Sequence, residues 1–92
     1  MTTPLHNATW TGHTDAMKLL IEYGVDINAK SKFDRTPLHK ASSKGNTDAI
    51  ALLIEYRANV NAKDEWNETP LHDASYHDHT GAMKLLESHG AK

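Results

Sequence analysis

Histidine and aspartate side chains are the parts of this sequence that could do metal chemistry. The chain has 92 residues, of which seven are histidines. The densest group mixes imidazoles with carboxylates and comprises His72, Asp73, His77, Asp78 and His79. Imidazole nitrogens and carboxylate oxygens are ligands that zinc accepts. A histidine-based metal-binding module is therefore one hypothesis.

A second group of candidates is the carboxylates Asp64, Glu65 and Glu68. A general acid or base needs a buried or coupled environment, and we expect these residues to be solvated on an exposed turn. The chain contains no cysteine, no glycine-rich phosphate loop and no nucleophile elbow. We therefore predict that the protein is not an enzyme, with no catalytic residues and no cofactor.

Composition narrows the possible partners. The net charge of −2 argues against nucleic acid, because phosphate binding requires a basic face. The longest apolar run, residues 49–54, is far too short to cross a membrane. With no cysteine and no signal peptide visible, we expect a cytoplasmic or nuclear protein.

The elements that position these residues come from an internal repeat. The tetrapeptide Thr-Pro-Leu-His occurs at 3–6, 36–39 and 69–72, at a constant interval of 33 residues. The sequence Leu-Leu-Ile-Glu-Tyr likewise occurs at 19–23 and again at 52–56. A fixed period of this length is the mark of a repeat architecture.

Each repeat predicts two short helices followed by a turn. Thr36 is a good N-cap, Pro37 suits the first helical position, and Gly45 suits a left-handed stop. The second helices are apolar nearly all round, which predicts burial between neighbouring repeats. The predicted pairs are Pro4–Thr11 with Thr14–Tyr23, Pro37–Lys44 with Thr47–Tyr56, and Pro70–His77 with Thr80–His89.

The segments between repeats predict tight turns. Asp34 and Asn67 are residues that tolerate a positive φ angle, as such turns require. Arg57 and Asp78 stand where the other repeats have a helix-ending glycine. We expect each of these two substitutions to cost on the order of 1 kcal/mol.

Together these motifs resemble the ankyrin-repeat family. The resemblance implies an all-α solenoid of stacked helix-turn-helix units joined by β-hairpin-like turns. It implies a single domain at 1–92, with repeats 3–35, 36–68 and a truncated 69–92. The motifs that carry it are Thr-Pro-Leu-His, Ala8, Ala41, Ala74, Gly12-His13, the Leu-Leu pairs, Val25-Asp26-Ile27-Asn28-Ala29 and Ala58-Asn59-Val60-Asn61-Ala62.

The resemblance also reinterprets the histidines. In the ankyrin family, the histidine of Thr-Pro-Leu-His and the histidine at the position of His13 form hydrogen bonds to the turns that join units. His72 and His79 occupy these positions, so only His77 and His89 lack a framework role. Structural histidines are thus favoured over a metal site.

In the ankyrin family, hairpin tips and first helices line one concave surface that binds proteins. Phe33 and Trp66 hold matching tip positions, and Trp10 and Tyr76 hold matching first-helix positions, which the repeat framework does not require. The alternative is that Phe33 and Trp66 only cover neighbouring hairpins. The predicted partner-binding residues are Trp10, Lys32, Phe33, Arg35, Lys44, Glu65, Trp66, Glu68, Tyr76 and His77.

The charges of the two hairpins are opposite. Residues 30–35 carry three basic and one acidic side chain, whereas residues 63–68 carry one basic and three acidic. This pattern predicts either an oriented partner or weak pairing between exposed hairpins. Tyr23 and Tyr56 recur in register and are interpreted as framework. The rival to a protein-binding function is a structural fragment of a longer array with no partner of its own.

The two ends of the chain differ. Residues 87–89 are more polar than their equivalents, which is typical of a true terminal repeat. The first repeat shows no such change, so the N-terminus could be cut from a longer array. We expect apolar surface around Leu5, Met17 and Ile21 to be open and to support weak homo-association.

Some ankyrin-repeat proteins are hydroxylated on the asparagine just before the hairpin. The associated pattern is a leucine eight residues upstream and an acidic residue two upstream. Asn28 has both, whereas Asn61 has the leucine but not the acid. The alternative is that both asparagines only satisfy backbone groups in turns.

Overall fold

The fold is a row of helix pairs that follows the 33-residue period. The computed structural model describes residues 3–91, so residues 1, 2 and 92 of the predicted domain lie outside the described part. No residue between 3 and 91 is in a β-strand, and the all-α prediction is confirmed. The helices are α1 (Pro4–Thr11), α2 (Thr14–Glu22), α3 (Pro37–Lys44), α4 (Thr47–Glu55), α5 (Pro70–Tyr76) and α6 (Thr80–Ser88).

Four of the six predicted helices are one residue too long at their C-terminal end. Tyr23, Tyr56, His77 and His89 are C-cap residues whose ψ angles are near zero or slightly positive. Terminal residues lack the following backbone partners that would hold them helical. Thr36 is an N-cap as expected, since its side chain accepts from the His39 amide and the His39 side chain accepts from the Thr36 amide.

Left-handed residues end the helices and form the hairpins. The φ angles of Asp34 and Asn67 are both 60°, and those of Arg57 and Asp78 are 70° and 57°, so the left-handed conformation predicted at these four positions is confirmed. Phe33, which the sequence did not mark for this conformation, has a φ of 65° and lies in a short 3-10 turn. An aromatic residue held at positive φ is strained, and here it forms the tip of the first hairpin.

The core lies between two rows of helices. In one row α3 packs between α1 and α5, and in the other α4 packs between α2 and α6. The centre of α4 is buried through Ala49, Ile50 and Leu53, as its apolar sequence predicts. The fully buried large apolar side chains are Leu5, Met17, Leu38, Ile50, Leu53 and Leu86.

Two expectations about the surface are wrong. Leu5 and Met17 are fully buried rather than open, because they lie among the core residues that join the first repeat to the second. Tyr23 is 85% exposed and therefore is not a packed framework residue, because it follows the last turn of α2. Its counterpart Tyr56 is half-buried.

None of the helices described between residues 3 and 91 has the length and apolar character needed to cross a membrane.

Candidate functional site

Neighbouring hairpins are joined by an ion-pair cluster centred on Arg35. The Arg35 guanidinium contacts an Asp64 carboxylate oxygen at 2.9 Å and an Asp73 carboxylate oxygen at 2.8 Å. Only 17% of the Arg35 side chain is exposed, and none of the Asp64 side chain is. The expectations of a solvated Asp64 and of weak, exposed hairpin pairing are therefore wrong. The packed repeats remove Asp64 from water and cover most of Arg35 and Asp73.

Asp64 also shapes its own hairpin. One of its carboxylate oxygens accepts hydrogen bonds from the backbone amides of Trp66 at 2.9 Å and Glu68 at 3.0 Å. Burial by itself would raise the pKa of Asp64, but these amides and the Arg35 charge outweigh burial and hold the pKa below its usual value. The charged carboxylate is thus the form that the folded hairpin requires.

The two hairpin tips carry an aromatic pair. The ring centroids of Phe33 and Trp66 are 5.0 Å apart, with an angle of 43° between the ring planes. The backbone amide of Glu65 donates to the carbonyl of Phe33 at 3.0 Å, which holds the two tips together. The rings do cover each other, yet Phe33 stays 43% exposed and Trp66 57% exposed. The pair therefore presents a fixed apolar surface to solvent.

A second aromatic group lies on the first two repeats. Trp10 on α1 is 46% exposed, and the Lys44 ammonium lies 4.5 Å from its ring centroid. The Lys40 ammonium lies 5.6 Å from the same ring. Sequence reasoning missed Lys40, although its position one helical turn before Lys44 places the two on one face of α3. Cation–π contacts hold both lysines over Trp10.

The third group is at the end of α5. Tyr76 is 83% exposed, and its ring meets His77 edge-on with centroids 5.1 Å apart. Both side chains line a polar cleft of about 260 Å³ that also reaches Arg35 and Glu68. The structure thus brings Glu68, Tyr76 and His77 to one cleft. Two other predicted residues of the second hairpin, Glu65 and Trp66, do not line it. Of the predicted binding residues, Arg35 is the one most engaged inside the fold.

The histidines of the repeated tetrapeptide join successive units. His6 Nε2 donates to the Arg35 carbonyl at 2.8 Å, and His39 Nε2 donates to the Glu68 carbonyl at 2.8 Å. The Thr36 backbone amide donates to His39 Nδ1 at 3.1 Å, so we assign the proton of the neutral ring to Nε2. Burial lowers the pKa of His6 and of His39 below the usual 6.5. The framework role implied for these histidines is confirmed.

The histidine cluster near the C-terminus is not arranged as a metal centre. His79 Nε2 donates to the Ser43 carbonyl at 3.1 Å, and the Thr69 amide donates to His72 Nδ1 at 3.0 Å. Across the described residues, no group of three or more histidine, aspartate or glutamate side chains is placed to hold a metal ion. The rings of His77 and His79 stack with centroids 5.8 Å apart, but the five residues that suggested zinc are not arranged around a common metal position.

The two candidate asparagines bridge consecutive repeats. Asn28 Oδ1 accepts from the Asn59 backbone amide at 2.8 Å, and Asn61 Nδ2 donates to the Gly90 carbonyl at 3.2 Å. Their side chains thus bond backbone groups in the next repeat. This is the structural role that the sequence left open as an alternative to modification.

Comparison with known proteins bears on these observations as a whole. The family model for ankyrin repeats, in three copies, matches residues 5–92. No individual curated protein matches the chain. Ankyrin repeats are generally protein–protein interaction modules, and the family is generally non-enzymatic. With three helix pairs at a constant period and a family match over nearly its whole length, this chain belongs to the ankyrin-repeat family.

Proposed function

We propose that this protein binds a protein partner through its hairpin tips and first helices. The observation that carries the proposal is the exposure of four aromatic side chains on these elements, Trp10, Phe33, Trp66 and Tyr76. The counterpart of Trp10 and Tyr76 in the second repeat is the small Ser43, so the fold itself does not require an aromatic residue at that first-helix position. Exposed aromatics of this kind are typical of interface hot spots.

The aromatic side chains are held in place before a partner arrives. Phe33 and Trp66 pack against each other, and the Lys32 ammonium lies 5.0 Å from the Phe33 centroid. Trp10 is similarly held by Lys40 and Lys44. Side chains that are already ordered lose less conformational entropy on binding. The surface is therefore suited to an anchoring role.

Basic and acidic side chains lie on different parts of the proposed binding surface. Three lysines lie beside the aromatic residues Trp10 and Phe33, namely Lys32, Lys40 and Lys44. Glu65 and Glu68, in contrast, lie on the second hairpin. A partner with acidic groups facing the lysines and basic groups facing the glutamates would bind in one orientation. Arg35 contributes by fixing the hairpins rather than by offering a free charge.

The experiment is affinity capture from the source cell with three baits. They are the wild-type chain, the double variant Phe33→Ala/Trp66→Ala, and Tyr23→Ala. Tyr23 is a matched control because it is an exposed aromatic residue that follows α2, away from the hairpin tips. A protein captured by wild type is then titrated against all three purified baits, after circular dichroism has shown equal helix content.

We expect the double variant to weaken binding at least about tenfold, which corresponds to about 1.4 kcal/mol, while Tyr23→Ala leaves the affinity unchanged. Equal binding by all three baits would place the interface elsewhere. Capture of no specific protein by the wild-type bait would favour the rival, a structural part of a longer array.

A further inference from the structure

The two ends of the stack carry open faces whose counterparts pack against each other at the junctions inside the chain. We define the C-terminal face as Leu71, His72, Ser75 and Met83, and the N-terminal face as Ala16, Leu19 and Leu20. The repeat period assigns each residue an internal counterpart. A residue that is more exposed at an end than its internal counterpart marks a surface without a neighbouring repeat.

The C-terminal face corresponds to residues that the next repeat covers. Leu38, His39, Ser42 and Ile50 are the counterparts in the second repeat, and all are buried. In the last repeat Leu71 and Met83 are only half-buried, and His72 and Ser75 are exposed. These residues line an open cavity of about 240 Å³. Within residues 3–91 nothing packs on this side of α5 and α6.

The N-terminal face corresponds to residues that the preceding repeat covers. Ala49 and Leu53 are fully buried in the second repeat, and Ala82 and Leu86 in the third. Their counterparts Ala16 and Leu20 are only half-buried. Leu19 is 56% exposed, whereas its counterparts Leu52 and Leu85 are half-buried. The first repeat therefore presents the surface that internal repeats use to receive a neighbour.

We propose that a second copy of this chain docks its N-terminal face onto the C-terminal face of the first, head to tail. The occupant is a second copy because each end face carries the same kinds of residues as one side of an internal junction between repeats. Leu71 and Met83 repeat the chemistry of Leu38 and Ile50, and Ala16 and Leu20 repeat that of Ala49 and Leu53. The contact continues the stack that already joins α3 to α5 and α4 to α6.

One residue limits this contact. Glu87 lines the open cavity and stands where Ile21 and Ile54 stand in the earlier repeats. Covering its carboxylate removes a charge from water without a built-in partner, which opposes docking. The association is thus weak in the wild type, and Glu87→Ile strengthens it. Since a head-to-tail contact does not close on itself, association grows beyond the dimer with concentration.

The test is sedimentation velocity over a concentration series of the full 92-residue chain. Leu19→Glu blocks the N-terminal face, and Ser75→Arg blocks the C-terminal face. Both sites are exposed in the isolated chain, so both variants are expected to fold, and circular dichroism checks this. Wild type is expected to show a mass that rises with concentration, and Glu87→Ile to show the same rise at about tenfold lower concentration.

Each blocked variant is expected to be monomeric alone, and their equimolar mixture to form dimers and nothing larger. This pattern requires a head-to-tail contact, because each variant retains one open face. Association of Ser75→Arg alone would indicate a contact between two N-terminal faces and overturn the proposal. A monomeric Glu87→Ile at the highest soluble concentration would overturn it as well.

The proposal does not depend on the partner-binding surface. Phe33→Ala/Trp66→Ala is expected to associate like wild type, because the hairpin tips are on neither end face. Loss of association in that variant, with helix content intact, would contradict the assigned faces.

Discussion

At the scale of single residues, a few polar side chains hold successive repeats together. Arg35 bridges carboxylates that follow it by 29 and 38 residues, and His39 reaches the carbonyl of Glu68. Buried polar groups require partners, so each of these contacts ties the position of one repeat to that of the next. Their removal is expected to loosen the junction as well as the local turn.

Arg35→Met is expected to destabilise the protein by about 3 kcal/mol, because it leaves the Asp64 carboxylate buried without its counter-charge. Urea unfolding measures the change in the free energy of unfolding. Lys30→Met is the matched control, since Lys30 is an exposed cation on the same segment, and its effect should stay within about 0.5 kcal/mol. Similar losses in both variants would mean that the Arg35 cluster is not a specific support.

Stability is expected to fall as the pH decreases below 6.5. Burial lowers the pKa of His6 and His39 from that value, so the unfolded chain binds protons that the folded chain does not. The loss for each histidine is at most about 1.4 kcal/mol per pH unit, from pH 6.5 down to its folded pKa. Burial raises the pKa of Asp73, whose protonation stabilises the fold as the pH falls further toward 3.8.

Urea unfolding at about pH 7 and about pH 5.5 tests this window. His39→Gln is expected to show a smaller pH dependence than wild type, because it removes a side chain whose pKa burial lowers. Constant or rising stability from the higher to the lower pH would show that these histidines are not held neutral.

At the scale of the elements, helix ends depend on the space beside them as well as on their φ angles. Gly45 ends α3 with a φ of 67°, and a Cβ atom there would meet His79 ring atoms at 2.5 Å. Gly24 has a φ of 90° but open space around its Cα. Gly45 is therefore favoured both by its positive φ angle and by the His79 ring packed against it, whereas Gly24 is favoured by its φ angle alone.

Gly45→Ala is expected to cost more than Gly24→Ala. Both lose about 1 kcal/mol from an unfavourable φ, and Gly45→Ala additionally displaces His79 from its hydrogen bond to Ser43. Thermal or urea unfolding of the two variants measures the difference. Equal costs would show that the His79 ring can move aside freely.

Hydroxylation of the bridging asparagines is expected to follow local opening. Asn28 and Asn61 both bond backbone groups of the following repeat, so an enzyme must first release them. The first repeat has a neighbour on one side only within the described chain, and it is expected to open more readily. In a cell with such a hydroxylase, Asn28 should gain an oxygen before Asn61 does. Mass spectrometry showing modified Asn61 with unmodified Asn28 would contradict this order.

At the scale of the whole molecule, the stack is most tightly packed in its middle repeat. Leu53 is fully buried between helices on both sides, whereas its counterpart Leu20 is only half-buried at the N-terminal face. In a chain of repeats, stability is close to a sum over units and their junctions. The cost of a core truncation should therefore depend on which repeat receives it.

Leu53→Ala is expected to cost roughly 2–5 kcal/mol, and Leu20→Ala clearly less, because more of the Leu20 side chain already contacts water. Chemical unfolding of both variants provides the comparison. An unchanged stability of Leu53→Ala would mean that Leu53 is not part of the core, and equal losses would mean that the ends are as well packed as the centre.

The sequence by itself determined the helices, their caps, the left-handed turns and the family. These features follow from short-range signals, such as Thr36-Pro37 at a helix start and Gly45 at its end, repeated at a constant period. The exposed aromatic residues could also be selected. Trp10 and Tyr76 share their position with the small Ser43, and Phe33 and Trp66 hold matching positions at the hairpin tips. The one residue by which four predicted helices are too long reflects the weak local signal at helix ends.

Only the tertiary structure decided which polar and apolar residues are covered. Asp64 is an acidic hairpin residue by sequence, and it becomes buried because Arg35 reaches it from the preceding hairpin. Leu5 and Met17 belong to an end repeat, yet they face the next repeat and are enclosed, whereas Leu19 is left open. Burial depends on what packs against a side chain from a period away in sequence. A local pattern does not contain that information.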